Sequence, residues 1–261
     1  MSPASDAANA PADPFDVHGR VAIVTGGSRG LGKAAAAGLA ARGASVVIAS
    51  RDLAVSEVVV AEIEATGGIA MAVSVDMART ADVNRLVDVT IERFGRLDIL
   101  VNNAADSTLA RAADVDEDTY DRVHAINAKG PFFLAQRARP HLAASGNGTI
   151  INVLSVGAWN GGPMMILYRS SKSTLLGITM TLAKEWAADG IRVNAIAPGT
   201  FETDMIGWMD DASRGRAIAF TPQQRIADPA EIVPTVLYLA SDASSFTTGT
   251  VLRVDGGMLS W

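Results

Sequence analysis

Short, apolar, β-branched runs alternate along the chain with longer amphipathic stretches. The short runs are rich in Val and Ile and are bounded by Gly, Asn or Asp, which is typical of buried strands. They are RVAIVTGG, ASVVIAS, AMAVSVD, LDILVNNA, GTIINVLS, IRVNAIAPG and TVLRVDGG. Each stretch between them is long enough for a helix. This alternation predicts an α/β fold with a doubly wound parallel sheet.

The alternating pattern continues without an internal repeat or a linker, so we expect a single domain over residues 16–261. The preceding residues 1–15 are small, polar and acidic, and they predict a disordered tail. One irregular insertion, rich in Met, Trp, Asp and Ser, covers about residues 202–224, just after a predicted strand. Its position favours a lid.

The composition excludes several classes of function. With 49% hydrophobic residues among 261, the chain can bury a large core, and its net charge of −6 does not attract nucleic acid. It has no cysteine and only three histidines, so we expect no metal site. We find no secretory signal and no apolar stretch of bilayer length, and therefore expect a cytoplasmic protein without a membrane partner.

A glycine-rich segment, TGGSRGLG at residues 25–32, joins the first predicted strand to the helix that follows it. Gly26, Gly30 and Gly32 allow a sharp turn and a close approach of the backbone to a pyrophosphate, which the helix N-terminus would stabilise. The alternative is a tight turn that binds nothing. The placement between strand and helix favours a dinucleotide site.

The end of the second predicted strand indicates which dinucleotide binds. An NAD site usually places an acidic residue there, which binds the ribose hydroxyls and would repel a 2′-phosphate. Here the strand ends in VVIASRD, with Ser50 and Arg51 at and just after that place. Arg29 adds a second guanidinium suited to phosphate. We therefore favour NADP(H), and NAD(H) stays open because Asp52 lies only one residue beyond.

Four polar residues are expected at the carboxyl edge of the sheet, where such folds bind ligands. Asn127 lies in a predicted helix, Ser155 ends the fifth strand, and Tyr168 and Lys172 share a helix face in YRSSK. We expect the ammonium to lower the pKa of Tyr168 from its reference near 10, so that the phenol exchanges a proton with a carbonyl oxygen. Ser155 would hydrogen-bond that oxygen, and Asn127 would bind a water linking Lys172 to solvent.

The ordered set TGGSRGLG, NNAA, Asn127, Ser155, YRSSK and APGTFET resembles the classical short-chain dehydrogenase/reductase family over residues 16–261. It is most similar to the branch that contains 3-oxoacyl carrier-protein reductases, gluconate and glucose dehydrogenases and carbonyl reductases. The resemblance implies a Rossmann fold with a seven-stranded sheet and helices on both faces. It also implies a catalytic tetrad of Asn127, Ser155, Tyr168 and Lys172, in which Tyr168 is the acid/base and Lys172 also holds the nicotinamide ribose.

The same resemblance implies a set of further cofactor contacts. In the glycine loop they are Gly26, Ser28, Arg29, Gly30, Leu31 and Gly32. Asp76 and Met77 would border the adenine, and Asn103 and Ala104 would lie along the cofactor. Pro198, Gly199, Phe201 and Thr203 would hold the carboxamide and the phosphates.

Three residues depart from the family pattern. Ala105 stands where glycine is usual and adds a methyl beside the nicotinamide or substrate. Leu154 replaces a serine that commonly precedes the catalytic serine, and Arg169 occupies a position where a small residue is frequent. None of the three is a tetrad member, so we expect the chemistry to be retained.

The predicted substrate is a hydrophobic or bulky carbonyl compound, or the corresponding secondary alcohol. The residues expected to line its pocket are Ala105, Trp159, Met165, Met205 and Trp208. Met and Trp suit an adaptable apolar pocket, although about half of them would equally suit the core or a subunit contact. Reduction of 3-oxoacyl carrier protein, or oxidation of a sugar or polyol, is the alternative within the family.

A non-catalytic dinucleotide-binding scaffold is the alternative of another class, because a fold alone does not fix a function. Retention of both Tyr168 and Lys172 favours the enzyme. The resemblance further implies a homotetramer, with the helices around residues 114–144 and 168–189 packing across one interface.

Overall fold

Seven parallel strands form the central sheet. In the computed structural model, which describes residues 13–259, they are β1 (Val21–Thr25), β2 (Ser45–Ser50), β3 (Ile69–Ser74), β4 (Ile99–Asn102), β5 (Thr149–Val153), β6 (Arg192–Pro198) and β7 (Val251–Val254). Their order is β3-β2-β1-β4-β5-β6-β7, and every neighbouring pair is parallel. The direction of winding reverses between β1 and β4, where such sheets open a ligand crevice. The predicted doubly wound α/β fold is confirmed.

Eight α-helices connect the strands within the described residues. They are α1 (Gly30–Ala41), α2 (Leu53–Ala65), α3 (Thr80–Phe94), α4 (Glu117–His124), α5 (Gly130–Ala144), α6 (Ile166–Glu185), α7 (Asp211–Phe220) and α8 (Val233–Ala240). A π-helical turn, Ala125–Lys129, joins α4 directly to α5. No helix in this part of the chain is long and apolar enough to cross a bilayer.

Each face of the sheet is covered by helices because successive strand residues point to opposite sides. Val24 of β1 packs in one cluster with residues of α1, α2 and α8, whereas its neighbour Ile23 packs in a second cluster with α3, α5 and α6. Both side chains are fully buried. Burial of one such side chain contributes about 1.5–3 kcal/mol, which is why continuous Val/Ile runs specify this two-faced sheet.

The predicted tail, residues 1–15, lies outside the described residues except for its last three. Arg42 forms an ion pair with Asp13, with 2.8 Å between Nη1 and Oδ2. The Ala243 N–H donates to the Pro14 carbonyl at 2.8 Å. Residues 13–15 therefore contact the domain.

The insertion at residues 202–224 contains a 3₁₀ turn, Asp204–Ile206, followed by α7. None of the α7 residues is buried. Trp208 and Phe220 are 59% and 63% exposed, so large apolar side chains of this segment face outward. A lid role for the segment stays a prediction.

Candidate active site

The carboxyl ends of β1 and β4 are tied together at the point where the winding reverses. The Thr25 hydroxyl accepts the N–H of Asn103 at 3.0 Å and that of Ala104 at 3.1 Å. The Asn103 amide donates in return to the carbonyls of Thr25, at 3.0 Å, and Gly26, at 3.2 Å. Because these bonds fix both loops, the crevice between them has a defined shape.

The glycine loop has the geometry that a pyrophosphate requires. Gly26 and Gly30 have φ values of 65° and 51°, a left-handed conformation that side chains other than glycine rarely adopt. A Cβ at Gly32 would lie 2.2 Å from the Gly26 carbonyl oxygen. Arg29, the N-cap of α1, makes no side-chain cap, so the first amides of the helix remain available to an anion. These residues fit a dinucleotide.

The segment after β6 reaches this loop. A Cβ at Gly30 would lie 3.1 Å from the Thr203 Cγ2 atom, so Thr203 lies directly on the glycine turn. Phe201 is buried and pairs with Ala227. Pro198 ends β6, and the Gly199 N–H donates to Val254 at 2.9 Å, which fixes the course of the segment. The structure thus brings the predicted carboxamide and phosphate contacts to the predicted phosphate loop.

Two arginines and one aspartate lie at the end of β2. The Asp52 carboxylate caps α2 by accepting the Val55 N–H at 3.2 Å, and the Ser50 hydroxyl donates to the Asp52 carbonyl at 3.0 Å. The Arg29 guanidinium lies 3.9 Å from the Asp52 carboxylate, and Arg51 is exposed beside them. Asp52 is therefore engaged at the start of α2, and the two cations lie beside it at the end of β2.

The predicted adenine border, Asp76 and Met77, lies in the loop after β3, and its contact with a cofactor stays a prediction. The Asp76 carboxylate accepts the Ala78 N–H at 3.0 Å, while its own N–H donates to Asp82 at 3.1 Å. Met77 is buried, and a Cβ at Gly130 would lie 2.3 Å from its carbonyl oxygen. The loop is consequently packed against the start of α5, next to the crevice.

Tyr168 and Lys172 lie on the buried face of α6, where they are 8% and 1% exposed. The Lys172 Nζ donates to the Val153 carbonyl at 2.6 Å and lies 5.6 Å from the centre of the Tyr168 ring. Ser155, two residues beyond β5, accepts the Gly157 N–H at 3.0 Å, and its side chain lowers the pKa of Tyr168. Three of the four predicted catalytic side chains are thus brought together.

Burial determines the protonation of this pair. It raises the pKa of Tyr168 above 10, partly offset by the Ser155 hydrogen bond and the Arg169 charge. Burial also lowers the pKa of Lys172 from 10.5 to about 7. The expectation that the Lys172 ammonium lowers the pKa of Tyr168 is contradicted, because burial raises this pKa instead. The tyrosine keeps its proton at neutral pH.

Asn127 lies in the π-helical turn and is fully buried. Its amide nitrogen donates to the Asp106 carbonyl and to the Ser171 hydroxyl, both at 2.9 Å, and its oxygen accepts the Asp106 N–H at 2.7 Å. Such turns occur frequently at functional sites. The side chain joins the loop after β4 to α6 beside Lys172, and its part in a water relay stays a prediction.

Sequence reasoning missed four supporting groups. Thr25 fixes the two crevice loops, and the Asp106 backbone both donates to and accepts from the Asn127 amide. The Val153 carbonyl accepts the hydrogen bond of the Lys172 ammonium, and Ser171 links Asn127 to α6. Thr25 and Ser171 stand inside the quoted motifs, where a polar residue at a predicted buried position is a usable signal. The Val153 carbonyl has no sequence signal, because every residue has one.

The predicted substrate residues occupy different environments. Trp159 is half-buried and packs on a core cluster that contains Leu154. Ala105 is half-buried beside the crevice loop. Met205 and Trp208 are exposed. Sequence could not separate these cases, since Met and Trp suit both core and pocket.

Comparisons with known proteins cover nearly the whole chain. A family model described as enoyl-(acyl carrier protein) reductase matches residues 26–259. The chain is 35% identical over 243 residues to the 3-oxoacyl-(acyl-carrier-protein) reductase FabG of Thermotoga maritima, covering 93% of this chain and 99% of that protein.

Solved structures give the same picture. A provisionally assigned short-chain alcohol dehydrogenase from Sinorhizobium meliloti 1021 has 40% identity and a TM-score of 0.92, covering 95% of this chain and 99% of its own. A provisionally assigned NAD(P)-dependent gluconate 5-dehydrogenase from Beutenbergia cavernae, with NADP bound at low occupancy, has 35% identity and a TM-score of 0.91. The coverage is 95% of this chain and 100% of that one.

Proposed function

The chain belongs to the short-chain dehydrogenase/reductase family of oxidoreductases, and we propose that it is an NADP(H)-dependent carbonyl reductase. It would reduce a ketone to a secondary alcohol, or catalyse the reverse oxidation. The observation that carries this proposal is the buried Tyr168 on the crevice side of the sheet, whose ring centre lies 5.6 Å from the Lys172 Nζ and whose pKa Ser155 lowers.

The protein groups divide the proton chemistry among them. Tyr168, protonated at neutral pH because burial raises its pKa, donates a proton to the carbonyl oxygen during reduction. Ser155 donates a hydrogen bond to the same oxygen. Lys172 is held by the Val153 carbonyl next to the ring, and Asn127 positions α6 through Ser171. Reduction needs a proton donor and oxidation needs a proton acceptor, so a protonated phenol suits reduction better.

The nicotinamide cofactor, when bound, supplies or accepts the hydride. In our proposal the glycine loop, the N-terminus of α1 and Thr203 would hold its pyrophosphate. Arg29 and Arg51 favour a 2′-phosphate. The NADP in the Beutenbergia cavernae structure supports this choice, while Asp52, 3.9 Å from Arg29, leaves NAD(H) as the second candidate.

Tyr168→Phe tests the assignment of the acid/base. It keeps the ring but removes the proton donor, so we expect NADPH binding at the parent affinity and turnover lower by a factor of about 100 to 10,000. NADPH consumption and fluorescence titration measure the two effects. Tyr238→Phe, which removes a hydroxyl bonded to Thr247 far from the crevice, is the matched control. Parent-level ketone reduction by Tyr168→Phe would refute the assigned role.

The substrate proposed is a hydrophobic or bulky ketone. Met164, Ile166, Met205 and Trp208 are each more than 40% exposed, and they lie within five residues of Tyr168 or Thr203 in the sequence. Reduction of 3-oxoacyl carrier protein is the second candidate, favoured by the similarity to the Thermotoga maritima enzyme. Rates with apolar ketones and with 3-oxoacyl pantetheine thioesters, at equal concentration, distinguish the two.

We also propose a homotetramer. A groove of about 580 Å³ lies between α4, the π-helical turn, α5 and α6. These elements belong to the two regions, around residues 114–144 and 168–189, that are predicted to pack across one subunit interface. It is lined by apolar groups that include Phe132, Phe133 and Ile178, flanked by Asp121 and Lys129. An apolar groove with a charged rim has the composition of a subunit interface.

A further inference from the structure

The Arg169 side chain turns away from solvent into the loop that precedes its own helix. Its Nη1 donates to the carbonyls of Asn160 and Gly161, both at 2.7 Å, and also to the Asn160 side-chain oxygen. Its Nη2 lies 3.7 Å from the Met165 sulfur. One guanidinium therefore contacts both halves of residues 157–165, the segment between Ser155 and α6 that we term the 157–165 loop.

At two glycines of the loop, the Arg169 side chain occupies the space that a Cβ at that position would need. A Cβ at Gly162 would lie 2.6 Å from the Arg169 Nη2, and a Cβ at Gly157 would lie 3.2 Å from its Cγ. At Gly161 a Cβ would meet nothing within 4 Å. Neither Gly161 nor Gly162 has positive φ, so space rather than backbone conformation distinguishes the two positions.

The loop also carries strain that needs outside support. Met164 has a φ of 63°, a left-handed conformation that costs on the order of 1–3 kcal/mol for such a residue. The Ala110 N–H donates to the Met164 carbonyl at 2.9 Å, and Ala110 pairs with Met165. Contacts from Ala110 on one side and Arg169 on the other hold this conformation in place.

We propose that Arg169 is a positioning residue that fixes the 157–165 loop as one wall of the substrate site beside Tyr168. This inference rests on the proposed function, because the wall matters only if a substrate reacts at Tyr168. Both ends of the loop adjoin catalytic groups, Ser155 before it and Tyr168 after it. A displacement of the loop by about 1 Å would therefore misplace the substrate relative to both.

Arg169 has a second effect that a purely structural side chain would lack. The groups that act on the Tyr168 phenol are Lys172 on the same helix, Ser155 after β5, and Arg169. The positive charge of Arg169 lowers the pKa of Tyr168 against the larger effect of burial. Removal of the charge should raise that pKa. The alkaline decline in the rate of reduction should then begin at a higher pH than in the parent.

Arg169→Met and Arg169→Lys separate the two effects. We expect Arg169→Met to lower kcat/KM for the ketone about tenfold, mainly through KM, and to shift the alkaline limb of the pH profile upward. Arg169→Lys keeps the positive charge but lacks the planar guanidinium. The alkaline limb of its pH profile should therefore lie where the parent's does, whereas its KM should return only part of the way to the parent value. Arg42→Met, which loses an ion pair with Asp13 at the far end of α1, is the control.

Gly162→Ala provides a second, independent variant. In the parent it should raise KM as Arg169→Met does, because the added methyl displaces the guanidinium. In the Arg169→Met background it should add less than about a twofold effect, since the two changes remove one interaction. Gly161→Ala should leave KM unchanged, both in the parent and in the Arg169→Met background. Equal effects of Gly162→Ala in both backgrounds would overturn the proposal.

Hydrogen exchange keeps this inference separable from the proposed function, because it needs no turnover. Amides of the 157–165 loop should exchange faster in Arg169→Met than in the parent, with β1 and β6 unchanged. Unchanged loop exchange together with an unchanged KM would overturn the role of Arg169. Absence of ketone reduction by the parent itself would instead refute the proposed function, and the exchange result would still decide whether Arg169 fixes the loop.

Discussion

In our proposal the cofactor preference depends mainly on Arg51, an exposed residue directly after β2. In Arg51→Asp a carboxylate would repel the 2′-phosphate of NADPH and accept hydrogen bonds from the ribose of NADH. We expect the ratio of kcat/KM for NADPH over NADH to fall at least about tenfold, a difference of roughly 1.4 kcal/mol. Arg93→Asp makes the same charge change at the exposed end of α3 and should leave the ratio as it is. An unchanged ratio in Arg51→Asp would refute our interpretation of the β2 end.

At the scale of helices, the proposed homotetramer depends on the groove along α4, α5 and α6. Thr174 is exposed on α6 and lines the groove. Thr174→Arg would place a charge on the apolar floor and should shift the assembly toward smaller species in light scattering. Lys184→Arg, exposed on the same helix, is the control. A parent mass near the 27.1 kDa of one chain would contradict the tetramer.

For the whole molecule, the buried Lys172 links folding to pH. Its pKa is about 7 in the folded protein and near 10.5 in the unfolded chain, so between these values the unfolded state binds more protons. The free energy of unfolding should therefore rise with pH from about 7 to 10.5. Below pH 7 the folded state carries the full cost of a buried ammonium.

Lys172→Met should remove this dependence. The free energy of unfolding is measured in urea at one protein concentration for parent and variant. The difference between the two values should change by about 1.4 kcal/mol per pH unit between pH 7.5 and 9. Lys184→Met, which removes an exposed lysine of α6, should retain the parent slope. Equal slopes for parent and Lys172→Met would show that Lys172 is not desolvated in the folded state.

The sequence by itself determined the sheet, the phosphate loop and the pairing of Tyr168 with Lys172. Each of these depends on local order: Val/Ile runs between helices, glycines between β1 and α1, and an i, i+4 spacing on α6. Such signals are properties of neighbouring residues, so they can be read without knowing what packs against them.

Tertiary structure alone decided the rest, because burial and distant partners have no local signal. It raised the pKa of Tyr168 and lowered that of Lys172 by desolvation, opposite to the effect expected for the tyrosine from charge alone. It directed Arg169 into the 157–165 loop, where a solvent-facing side chain was equally compatible with the sequence. Desolvation and long-range hydrogen bonds arise only when separate segments meet, which is why the motif could be identified from sequence and its protonation could not.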